Sequence, residues 1–197
     1  QREAVLAALN GAMGDRLLAN DNPFAIPMSL RHQGQPLDPD SIQSIPGTTG
    51  KIALMMHGLC MSDLQWSAME KTPGTDHAQA LASTLGYTPI YLRYNSGTHI
   101  SQNGRELADR LEELLAHWPS AIEELTVVAH SMGGLVIRSA VYYAEEQDMA
   151  WPSLLKNIIF LGTPHQGAPL EKVSNWVDAL MGSTPYTRPF NALGKIR

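Results

Sequence analysis

One cysteine, Cys60, in 197 residues leaves no internal disulfide to hold this chain together. Positive charge is scarce as well: 14 Lys and Arg against 19 Asp and Glu give a formal net charge of −5. Nucleic-acid binding needs a basic footprint, so no nucleic-acid partner is expected. Long apolar runs are also missing. The most apolar window, 125–144, contains His130, Ser131 and Arg138, whereas a membrane helix needs about 20 mostly apolar residues. No transmembrane segment is expected. No signal peptide is visible, but the sequence starts at Gln1 rather than Met, so the compartment stays open. No cluster of ligands has metal-like spacing, and neither a metal nor an organic cofactor is called for.

What is present is an ordinary globular composition, 44% hydrophobic with 16 Gly and 13 Pro, in a length that suits one domain. Residues 1–50 read as an arm. Val5, Leu9, Met13 and Leu17 recur at helical spacing across 2–19 and predict a helix packing through that stripe. Asn20-Asp21-Asn22-Pro23 stops it, and 26–31 reads as a short strand. From residue 51 strands alternate with helices. Strands are predicted over 51–56, 89–94, 125–129 and 157–161, and helices over 76–85, 105–117 and 132–146. Strands that are apolar throughout require cover on both faces, which predicts an α/β class with a mainly parallel sheet. Function in such sheets gathers at the carboxyl ends of the strands.

The sharpest local signal is Leu125-Thr126-Val127-Val128-Ala129-His130-Ser131-Met132-Gly133-Gly134. A buried strand runs into a serine and a helix starts at once. So sharp a turn needs small neighbours, here Ala129 and Gly133, and it lifts the hydroxyl above a helix N-terminus. The Met132 amide then points to where an oxyanion would form. A plain helix cap is the competing reading of Ser131. A second amide must come from another loop. Met55-Met56-His57-Gly58-Leu59-Cys60, at the end of the first central strand, supplies a tight glycine turn for it.

These segments resemble known enzymes. Ala129-His130-Ser131-Met132-Gly133 is similar to the nucleophile elbow of the α/β-hydrolases, usually G-x-S-x-G, with alanine in the first place. The His57-Gly58 segment resembles the oxyanion loop of bacterial lipases. Leu161-Gly162-Thr163-Pro164-His165-Gln166-Gly167 resembles a segment of lipases and of GPI inositol-deacylase-type esterases. The resemblance covers roughly 50–197. It implies an α/β-hydrolase fold and a Ser131 that attacks an ester to form an acyl-enzyme. It also makes Leu59 the second oxyanion donor, with Cys60 as the alternative. The substrate would be a small-molecule or lipid ester, bordered by His57, Gly58, Cys60, His130, His165 and Trp176. Val173, Trp176, Val177, Leu180 and Met181 form an apolar stripe over 170–182, either a lid or a fixed helix.

A base and an orienting acid are still needed. After Ser131 the sequence holds one histidine, His165, and the carboxylates Glu145, Glu146, Asp148, Glu171 and Asp178. None of them follows a clear strand in the order acid, then histidine, that the resemblance implies. The expectation is that both lie beyond Arg197 and that the chain is truncated after the strand ending near Leu161. An acyltransferase, a thioesterase or a non-catalytic binding module on the same fold remain open as alternatives, since fold does not fix function.

Overall fold

The strand that ends at the serine lies inside a six-stranded sheet whose central members are apolar on both faces. The computed structural model describes residues 2–68 and 77–167. In chain order these form α1 (Arg2–Ala19), β1 (Ser29–His32), β2 (Gln35–Pro36), α2 (Pro39–Gln43), β3 (Lys51–Met56), α3 (Gln65–Ala68) and α4 (His77–Leu85). They continue with β4 (Thr88–Arg93), α5 (Ile100–Ala116), β5 (Glu124–His130), α6 (Gly133–Glu146), a 3₁₀ turn (Trp151–Leu154) and β6 (Leu155–Leu161). The strand order is β2-β1-β4-β3-β5-β6. β4, β3, β5 and β6 pair in parallel, and β1 joins them antiparallel through β4. This is the mainly parallel α/β sheet expected from the run of apolar strands.

Burial follows position in the sheet. In β3 every residue after Lys51 is buried, and in β5 all but the two ends are. β6 is the edge strand among the described residues, and its Ile159 and Phe160 are exposed. Helices α5 and α6 cross closely, because a Cβ on Gly104 would sit 2.2 Å from Ser139 Oγ. Leu107, Leu111 and Leu114 of α5 are fully buried in the main core beside Ile52, Leu54 and Ile90. Each such side chain contributes about 1.5–3 kcal/mol through its burial.

The first fifty residues are built into this sheet through β1 and β2. Helix α1 forms where periodicity predicts it, with a kink at Met13, but only part of the predicted stripe packs. Val5 and Met13 are exposed, whereas Ala7, Ala8, Asn10, Gly14 and Leu17 are buried. The reason is close backbone approach. A Cβ on Gly14 would lie 2.0 Å from Asn95 Oδ1, and one on Gly11 would lie 2.3 Å from Cys60 Sγ. Small residues let the helix lie directly on two loops at the carboxyl ends of β3 and β4, a gain that outweighs burying larger side chains. No helix among the described residues is long and apolar enough to cross a membrane. Trp176 and the 170–182 stripe lie outside the described residues, as do Glu171 and Asp178.

Candidate active site

Ser131 stands between β5 and α6 with φ +53°, a left-handed conformation that costs a non-glycine residue about 1–2 kcal/mol. The turn is held from below by the Ser131 amide, which donates to the Leu161 carbonyl at the end of β6 (2.8 Å). The serine is buried and its hydroxyl has no hydrogen-bond partner among the described residues. A capping serine would spend its oxygen on the helix, but α6 has no side-chain cap. The strained turn therefore leaves the hydroxyl and the Met132 amide without partners among the described residues, while the Gly134, Leu135 and Val136 amides close the first turn of α6 onto the Ser131 and Met132 carbonyls.

Beside it runs the loop after β3. A Cβ on Gly58 would lie 3.0 Å from Ser131 Cβ and 3.1 Å from His130 Nδ1, so this glycine is the point of contact between loop and nucleophile. On the other side Gly133 approaches the carbonyls of His57 and Met56. Elbow and loop thus meet through two glycines: a side chain at Gly133 would force a backbone shift, and one at Gly58 would press on Ser131 and His130. Cys60 also has positive φ (+58°), and its amide donates to Ser96 Oγ at 3.0 Å. That amide is spent. The amides of Leu59 and Met132 have no acceptor among the described residues.

His57 is 1% exposed and belongs to the scaffold of this loop. Its Nδ1 lies 2.9 Å from the Gly58 carbonyl, and its ring stacks on Tyr94 with centroids 4.4 Å apart. The Tyr94 hydroxyl donates to the His57 carbonyl at 2.8 Å. Burial lowers the His57 pKa to about 4, so the ring is neutral at physiological pH. Protonation is then harder in the folded than in the unfolded chain, whose histidines titrate near 6.5. Stability held above pH 6.5 should fall as the pH drops toward 4, by up to about 3 kcal/mol from this one group. Urea denaturation at pH 7 and pH 5 checks this. A His57→Phe variant should have lost that part of the pH dependence.

His130 is half-buried, and burial pulls its pKa down as well. Its Nδ1 has no hydrogen-bond partner among the described residues. With His57, Met61, Trp66, His77 and Leu161 it lines a mostly apolar cavity of about 80 Å³. A larger hollow of about 710 Å³ opens mainly at the amino ends of β3 and β4, bordered by Thr49, Thr88 and the β1–β2 turn, and reaches Asp63 and Leu64. Neither Ser131, His130 nor the 57–60 turn lines it, so size alone does not mark the site here. The smaller cavity is the one that shares residues with the elbow and its loop.

The other expected site residues are placed as follows. His165 is exposed, with Nδ1 3.2 Å from an Arg138 guanidinium nitrogen and its ring edge-on to Phe160. It does not line the small cavity. Cys60 is buried, and burial raises its thiol pKa to about 11. Iodoacetamide at pH 8 should leave it unmodified in the folded protein and alkylate it fully in denaturant, which intact mass reads directly. No group of three or more His, Cys, Asp or Glu able to hold a metal ion occurs among the described residues. The sequence reading missed Asp63. Its carboxylate is buried after the Gly58 loop and pairs with Arg31 of β1 at 2.9 Å, while burial raises its pKa against the pull of that guanidinium. The sequence reading gave Tyr94 no role beyond ending a strand. Its hydroxyl bond to a backbone carbonyl leaves no periodic trace in sequence.

Comparison with known proteins agrees with this architecture. Among solved structures, lipase BlEst2 of Bacillus licheniformis in its mature form is similar, with a TM-score of 0.51 at 20% identity. The match covers 76% of this chain and 60% of that one, so this chain spans less than two thirds of its neighbour's length. At that identity the likeness concerns the fold, a mixed α/β arrangement of the α/β-hydrolase type. No curated protein matches the sequence. Residues 27–195 match one family throughout, and the chain belongs to that family, described as Domain of unknown function (DUF7379).

Proposed function

We propose that this protein is a serine ester hydrolase that works through an acyl-enzyme on Ser131. The observation that carries the reading is the elbow itself. A buried serine is held at φ +53°, its hydroxyl without a partner among the described residues, directly beside the Gly58 loop. A structure keeps such strain where something over-determines it, and nucleophiles are a common reason. In the proposed reaction Ser131 Oγ adds to the ester carbonyl carbon, and a general base takes its proton. The Leu59 and Met132 amides donate to the oxygen that becomes an oxyanion. The alcohol leaves with a proton from that base, and water then releases the acid by the same route in reverse. The lipase named above has a similar fold, which supports this reading without fixing the substrate.

Neither His57 nor His130 is hydrogen-bonded to Ser131, whose hydroxyl has no partner among the described residues. His57 is committed to its own loop. The base and its acid are therefore proposed to come from segments outside the described residues. Labelling with a fluorophosphonate probe tests the assignment. The native full-length protein should gain one probe, located at Ser131 by peptide mapping, and Ser131→Ala should gain none. A native protein that never labels would overturn the enzymatic reading.

A further inference from the structure

Resting on that reading, the geometry points to Ser96 as a positioning residue for the oxyanion donor, with helix α1 as its brace. The Leu59 amide belongs to a loop held only in part by its own bonds, the Met61 amide and His57 Nδ1 both meeting the Gly58 carbonyl. Its neighbour Cys60 is held at φ +58°, which a non-glycine residue keeps only when its surroundings enforce it. Two contacts do so. From one side, the Ser96 hydroxyl accepts the Cys60 amide hydrogen at 3.0 Å, and both residues are buried. From the other, α1 lies on the Cys60 backbone, since a Cβ on Gly11 would meet Cys60 N at 2.8 Å and its Cα at 2.9 Å.

Ser96 is itself clamped to the same helix. Asn95 Nδ2 donates to the Gly14 carbonyl at 3.2 Å, and the Gly97 amide donates back to Asn95 Oδ1 at 3.1 Å. A Cβ on Gly97 would strike the Asn10 carbonyl at 2.0 Å. Asn10 then ties the helix to the chain that follows it, accepting from the Ile26 amide at 2.8 Å and donating to the Phe24 carbonyl at 2.7 Å. The path runs from α1 through Asn95 and Ser96 to Cys60, and so to the adjacent Leu59. It also explains why two glycines lie in a helix, where each costs about 1 kcal/mol relative to alanine. Gly11 allows contact with the loop that carries the donor, and Gly14 with the Asn95–Gly97 loop that braces it. Ser96 consumes the Cys60 amide, so of the two donors the sequence left open only Leu59 can serve.

The test is Ser96→Ala in the full-length protein. Ser131 phosphonylation and kcat for a short p-nitrophenyl ester should fall about ten- to a hundredfold, less than outright loss of a donor. KM should stay within about twofold, since the ground-state ester does not need the donor in register. Inhibition by a tetrahedral boronate should weaken in step with kcat, and Ser96→Thr, which keeps the hydroxyl, should recover most of the loss. If Ser96→Ala fails to fold by circular dichroism, Gly11→Ala presses the same backbone from the opposite side and should give the same split. Labelling and boronate inhibition at native levels in these variants would overturn the inference while leaving the nucleophile assignment standing. So would a rise in KM that accounts for the whole loss. Absence of labelling in the native protein would overturn both.

Discussion

Replacing Ser131 by alanine should remove hydrolysis almost completely, by at least about 10⁴-fold in kcat, because the covalent step has no other nucleophile. The fold should survive, since Ser131 Oγ makes no hydrogen bond among the described residues that alanine would break. Stability should change by less than about 1 kcal/mol. Glycine at the same place gives a sharper result. The φ of +53° strains both serine and alanine, so Ser131→Gly should be more stable than Ser131→Ala by about 1 kcal/mol. An inactive variant more stable than the native protein is what a turn strained for function predicts. Urea denaturation of the three proteins, with ester hydrolysis alongside, decides it. A Ser131→Ala protein that hydrolyses at the native rate would sink the nucleophile assignment. Equal stability of the two variants would remove strain from the account.

Much of this site could be read from residues in a row, because the elbow and the Gly58 loop are each continuous in sequence. β3 begins and ends where its apolar run does, at Lys51 and Met56, and β5 extends one residue beyond the predicted strand at each end. The features that resist reading are those that depend on what arrives from elsewhere. Helix α5 begins at Ile100 rather than 105, because Asn103 and Gly104 look like helix breakers. Packing reverses that preference: Asn103 Nδ2 donates to the Asn95 carbonyl, and Gly104 admits Ser139. The stripe of α1 misleads for a related reason. Hydrophobic periodicity finds the side chains that could be buried, but α1 packs by its backbone, which carries no such mark. Helix α2 had a readable start in Asp38, whose side chain accepts from the Ser41 amide just before Pro39 begins the helix, yet five residues are too few for periodicity to register.

The packing of elbow against loop leads to the second large effect, at Gly133. A Cβ there would lie 2.7 Å from the His57 carbonyl oxygen, 3.2 Å from that of Met56 and 3.3 Å from Met56 Cβ. These are backbone atoms at the end of a central strand, and the His57 carbonyl is further held by the Tyr94 hydroxyl. They cannot rotate away. Relief in Gly133→Ala must come from sliding the first turn of α6 or the end of β3, which carry the Met132 and Leu59 amides respectively. The expected outcome is a loss of about 10²-fold in kcat with little change in KM, together with about 1–3 kcal/mol of stability. Gly134→Ala is the control one residue along. Its Cβ would meet Thr163 Oγ1 at 2.1 Å and Phe160 Cδ1 at 2.8 Å, side-chain atoms on the β6 edge that can turn aside. That variant should lose stability of similar size yet keep most of its kcat. Were the two to lose kcat equally, the damage would come from helix packing in general, and the Gly133 contact would have no special part in setting the oxyanion donors.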